Sequence, residues 1–169
     1  MADTAQVTNL TQNPFDSWKS IVISLYMTLV GYGVLVGIPV ISTAWVTLLG
    51  FSEVEVGRVA GADLGGLSVG AVITAALIAK TSRRMLALIG LFIAVIANWF
   101  CISIVDYETV LWLRALSGVG SGIFTAVAVS SLGASSKPAL AYNAMLFAFA
   151  FSQALEMHFL PMLSMAGVY

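Results

Sequence analysis

Five long, mostly apolar stretches separated by short polar breaks set the pattern of this chain. They run over roughly 20–44, 56–79, 85–105, 109–132 and 139–161, each near the about 20 residues a helix needs to cross a bilayer. The breaks fall at Gly50–Phe51–Ser52–Glu53 with Glu55, at Lys80–Thr81–Ser82–Arg83–Arg84, at Asp106–Tyr107–Glu108, and at Ser135–Ser136–Lys137–Pro138. Stretches this long and this rich in Ala, Gly and Leu predict helices, because barrel strands need only about ten residues. Breaks this short predict that consecutive helices are antiparallel neighbours. The expected fold class is all-α: a polytopic transmembrane helical bundle over 20–169, preceded by a polar tail over 1–19.

Composition agrees with the pattern. Hydrophobic residues are 60% of the chain and charged ones 9%, with a mean hydropathy of +1.00, against about 25% charged residues in a soluble domain. The lipid bilayer is therefore the first expected partner. A net charge of −1 leaves no basic patch for phosphate contacts, which argues against nucleic acid. The single cysteine, Cys101, excludes an intrachain disulfide, and no Cys/His cluster has zinc spacing. The tail from Met1 to Asp16 lacks the basic-then-apolar order of a cleaved leader, and the first apolar run is too long for one, so it reads as a retained span.

Basic residues orient the spans. Lys19, Lys80, Arg83, Arg84 and Lys137 fall on one side of a five-span arrangement, while Arg58 sits opposite with Glu53, Glu55, Asp106 and Glu108. The positive-inside rule puts the N-terminus in the cytoplasm. Trp45, Trp99 and Trp112 are then expected in the outer headgroup zone and Trp18 in the inner one. Glycines four apart (Gly33 with Gly37, Gly61 with Gly65, Gly66 with Gly70, Gly118 with Gly122) offer close helix approach. About half of them are ordinary membrane-helix glycines. Pro39 and Pro161 are placed to kink the first and fifth spans.

Three charges lie inside the apolar stretches: Asp63, Arg114 and Glu156. Each costs roughly 2.5–3.5 kcal/mol to insert. At about 1.5 Å per residue all three sit at a similar depth below the outer surface, so mutual pairing is expected. A static pin between helices, a role in substrate or proton coupling, and snorkelling of Arg114 to the headgroups are the open readings. Arg114, Ser117, Gly118, Ser121, Gly122 and Thr125 recur at helical spacing and form one small, polar stripe that packs on a neighbour or lines an aqueous cavity. Serines and threonines of this kind also bond back to their own helix. His158 and Met162, with Met157 and Met165, could offer soft ligands to Cu(I), although Met is an ordinary filler of apolar faces; no resident metal or cofactor is expected. No Ser–His–acid set, paired catalytic carboxylates or phosphate loop is present, so the chain is not expected to be an enzyme. Gly118, Gly120 and Gly122 follow no strand and do not form a dinucleotide fingerprint.

The stretch Arg114-Ala-Leu-Ser-Gly118-Val-Gly120-Ser-Gly122 resembles the Arg-x-x-x-Gly-x-Gly-x-Gly motif in the fourth helix of major facilitator superfamily (MFS) transporters. The second break is similar to the family's Gly-x-x-x-Asp-Arg-x-Gly-Arg-Arg loop, with Ala75, Ala79, Lys80, Ser82, Arg83 and Arg84 at its defined positions. Only the basic half survives. Leu49 to Gly57 and Ala60 to Gly66 resemble the family's first loop and second-helix entry.

The resemblance implies an MFS-like N-terminal half, with a small-molecule substrate held near mid-membrane between two six-helix halves. It also implies a bacterial inner-membrane location. The first, second and fourth helices would line the cavity, with the fifth beside them. The proton-coupling role of the fourth-helix arginine falls on Arg114, with Asp63 or Glu156 as proton carrier. The loop aspartate is lost at Ala79, which weighs against the usual cytoplasmic gate, and the family's glycine-rich, Gly-Pro ending of the fifth helix is not matched around Leu160–Pro161, which weighs against efflux by the standard antiporter route. Five helices cannot alternate access alone, so a missing C-terminal half or partner chains are expected to complete the transporter. The rival readings are a non-transporting accessory or assembly subunit of a membrane complex and, less favoured, Cu(I) uptake.

Overall fold

The computed structural model describes residues 13–159 and Met162. A 3-10 turn, Pro14–Asp16, leads into five α-helices: α1 Trp18–Leu49, α2 Glu53–Leu77, α3 Arg83–Ser103, α4 Tyr107–Gly133 and α5 Pro138–Phe159. All five are long and apolar enough to cross a membrane. Local chemistry sets their ends. Gly50 closes α1 in the left-handed region at φ 72°, where its N–H reaches the Val46 carbonyl and that of Phe51 reaches Trp45. Ser52 and Glu55 then form a reciprocal capping box on α2. Ser82 caps α3 through the Met85 N–H, and Asp106 caps α4 through that of Thr109. Helix α1 continues through Pro39, which has no N–H to give its preceding turn. Pro161 and Met165 lie outside the described residues.

Helix α4 is the hub of the bundle. It packs most extensively against α2, then α3, then α1. The expectation that consecutive helices are neighbours therefore needs correction: α2 and α3 follow one another in the chain but meet mainly through α4. The cause is the small-residue faces. A Cβ on Gly66 or Gly70 would collide with α4 backbone at Ala115 and Val119, and one on Gly118 or Gly122 with α2 backbone at Asp63 and Leu67. The two helices thus interlock through reciprocal glycine pairs, gaining close backbone contact that lipid cannot compete with. On the other flank, a Cβ on Gly90 would come within 2.7 Å of the Gly120 carbonyl oxygen. Gly33, Gly61 and Gly65 instead face open space.

Two apolar clusters close the ends. One joins Ile41 and Trp45 of α1 to Val56 and Val59 of α2 and Val110 of α4, with Phe51 edge-on to Tyr107 at 5.7 Å. Trp45 is fully buried there, which removes it from the headgroup belt; Trp18, Trp99 and Trp112 are exposed. The other cluster joins Leu86, Ile123 and Val127. Beyond it the turn before α1 straps the helix ends: Asn13 donates to the Ala134 carbonyl at 2.7 Å, and Asp16 accepts from the Ser136 N–H and hydroxyl. The start of the chain's first helix and the α2–α3 and α4–α5 junctions therefore share one end of the bundle.

Candidate functional site

The polar centre lies where α2, α3 and α4 converge. Arg114, fully buried on α4, places Nη2 2.5 Å from Asp63 Oδ2 on α2. Its Nη1 donates to Asn98 Oδ1 on α3 at 2.6 Å. Asn98 in turn donates through Nδ2 to Ser117 Oγ at 2.9 Å and to the Ala94 carbonyl at 2.9 Å. One guanidinium thus bridges three helices. A buried charge is tolerated when it is paired and further hydrogen-bonded, and both conditions hold here. The glycine packing is what brings the groups together, since Gly118 rests directly on the Asp63 backbone.

Glu156 stands apart from this pair. Its Oε1 accepts from Ser152 Oγ one helical turn away at 2.8 Å, and its side chain lines a cavity of about 430 Å³ between α1, α3, α4 and α5. Asn98, Trp99, Ser121 and Phe124 line the same cavity. The expected three-way cluster of charges therefore resolves into an Asp63–Arg114 ion pair and a separate acid. Asn98 is the link between them, since it both binds Arg114 and faces the cavity.

The fourth-helix stripe divides in the same way. Ser117 faces Asn98, Gly118 and Gly122 face α2, and Thr125 meets Gly31 of α1. Of that stripe, Ser121 alone is among the cavity-lining residues. The stripe reads mainly as packing, because α4 is wrapped by neighbours on several sides. Sequence reasoning missed Asn98, although an amide in the middle of an apolar span was a visible signal.

The basic loop has a different surrounding. Arg83 donates to Ser131 Oγ at 3.1 Å and lies 4.5 Å over the Phe15 ring, while Lys80 and Arg84 are exposed. At the far end of α5, His158 and Met162 are exposed, and His158 meets Phe159 edge-on. Among the described residues no three His, Cys, Asp or Glu side chains converge.

Neither the curated proteins nor the solved structures yield a match to this chain. A family match covers residues 5–153, under the description sugar (and other) transporter. That match spans most of the chain, and with the five membrane-length helices it agrees with the arginine–glycine pattern of α4. The chain is a multi-pass membrane protein and no enzyme: it belongs to the sugar (and other) transporter family of the major facilitator superfamily.

Proposed function

We propose that this chain forms the N-terminal part of a secondary active transporter that couples movement of a small solute to protons through Arg114 and Asp63. The observation that carries the reading is the buried Asp63–Arg114 pair, tied through Asn98 to a cavity of about 430 Å³. Protonation of Asp63 would neutralise its carboxylate and break the ion pair, while Arg114 stays charged and keeps its contact with Asn98. That gives the bundle two arrangements that differ by one proton. Glu156, on the cavity wall, is the second carboxylate able to carry a proton or meet the solute.

Further helices, from a C-terminal half or a partner chain, would complete the cavity. In support, α5 is the least covered helix of the bundle, with Phe147, Phe151, Leu155 and Phe159 exposed at four-residue intervals. The same bare face is what favours the second reading, an accessory subunit docked on a larger complex. The positive-inside rule would put the end carrying Lys19, Lys80, Arg83, Arg84 and Lys137 in the cytoplasm of a bacterial inner membrane.

The test is transport by the complete gene product in proteoliposomes, with radiolabelled monosaccharides among the solutes tried. Arg114→Ala should lose uptake driven by a pH gradient and keep solute exchange. Gradient-driven uptake at the unsubstituted rate in that variant would refute the assignment. A complete absence of solute movement by the unsubstituted protein would favour the accessory role.

A further inference from the structure

A second cavity, of about 470 Å³, opens at the strapped end of the bundle where α1 and α5 meet. Its walls are of two kinds. Ile21, Leu140, Ala141 and Ala144 form an apolar side, while Asp16, Ser135, Ser136 and Lys137 form a polar rim. These rim residues belong to the junctions at the ends of the membrane-length helices, so the order from apolar wall to charged rim follows the order from acyl chain to headgroup.

Charge selects among headgroups. Among the described residues, Lys19, Lys80, Arg83, Arg84 and Lys137 share this end with Asp16 as its sole carboxylate. Asp16 is already engaged, since both its oxygens accept from Ser136. Lys137 is exposed and makes no side-chain hydrogen bond or ion pair among the described residues. An exposed ammonium that spends no hydrogen bond on its neighbours, at the mouth of an apolar groove between two membrane helices, is the chemistry that holds an acidic lipid headgroup.

We propose that this groove is a binding site for one anionic glycerophospholipid, its phosphate at Lys137 and the start of an acyl chain along Ile21, Leu140 and Ala144. The bound lipid would join α5, the least covered helix of the bundle, to α1, the helix it packs against most. The Asp16–Ser136 strap forms part of the rim and holds Lys137 in place beside it.

Native mass spectrometry of the complete protein in detergent tests the site, with phosphatidylglycerol, phosphatidylcholine or inorganic phosphate added. Phosphatidylglycerol should give a saturable one-to-one adduct. Lys137→Gln should weaken it about fivefold, the effect of one lysine near an acidic lipid surface. Ala144→Trp should displace it by filling the groove, and Lys80→Gln, on the same end but outside the groove, should leave it intact. Circular dichroism confirms that each variant keeps its helix content; Lys137→Gln carries the test if Ala144→Trp does not. Equal retention of phosphatidylcholine would overturn the proposal by removing the headgroup selectivity. So would equal weakening by Lys80→Gln and Lys137→Gln, which marks diffuse attraction. An adduct with inorganic phosphate as tight as with lipid would overturn the role of the apolar wall.

Discussion

Arg114 Nη2 and Asp63 Oδ2 stand 2.5 Å apart across 51 positions of sequence, both side chains inside the bundle. Each group compensates the charge of the other at that depth. Removing Asp63 alone therefore leaves an uncompensated cation, and Asp63→Leu should lower stability by about 3–5 kcal/mol. Replacing both partners, Asp63→Leu with Arg114→Met, should recover much of that loss. Thermal unfolding of the four proteins in detergent measures the coupling; additive losses would mean that the pair is not a unit.

Asn98 bonds on each side of its amide, accepting a charge-assisted bond from Arg114 and donating a neutral one to Ser117. Asn98→Leu should cost about 1–3 kcal/mol, the usual penalty for leaving buried polar partners unsatisfied. Asn98→Gln, which keeps the amide but moves it outward, should fall in between. The same unfolding assay checks both.

The glycines separate into those that pack and those that do not. Gly118→Val places side-chain atoms on the Asp63 backbone and should destabilise by at least about 1–3 kcal/mol, the cost of overpacking. Gly61→Ala and Gly65→Ala meet open space and should match the parent protein or exceed it slightly, since Ala is the better helix former. Helicity melts compare them directly.

The strap before α1 carries its own pH dependence. Hydrogen bonds from the Ser136 side chain and then its backbone N–H hold the Asp16 carboxyl below its ordinary value, with a smaller contribution from Lys137. A carboxyl depressed in the folded state lends stability above its unfolded value of about 3.9 and loses it as pH falls through the lower folded value. Asp16→Asn should therefore melt below the parent protein at neutral pH. The gap should close in strong acid, where both proteins are uncharged at this position. A gap independent of pH would show that the carboxylate charge plays no part.

Much of this architecture was legible in the sequence, for identifiable reasons. Span positions follow from hydropathy, because every backbone group in lipid must be satisfied within its own helix. Arg114 was legible through the spacing of Gly118, Gly120 and Gly122, and Asp63 through the cost of burying it. Which partner Arg114 takes was not legible, since depth alone placed Asp63 and Glu156 equally. The choice is made by packing: Gly118 seats α4 on the backbone of Asp63, whereas α5 touches α4 only lightly. Trp45 misled for a related reason. Its place near a helix end suits the headgroup belt, but the Gly50 turn folds α2 back over it, and burial in the cluster with Val59 and Val110 wins. Asn98 needed knowledge of which face of α3 meets α4, and that face is set by Gly90 and Gly120 in contact.

In the proposed coupling the Asp63–Arg114 pair carries the proton. Its most direct test is solute flux and internal pH recorded together in proteoliposomes of the complete protein, with and without Asp63→Asn. The solute is whichever of the panel the unsubstituted protein moves fastest. The unsubstituted protein should move protons in a fixed ratio to solute, while Asp63→Asn should exchange solute with no accompanying change in internal pH. Proton movement by Asp63→Asn at the same ratio would contradict coupling through this pair.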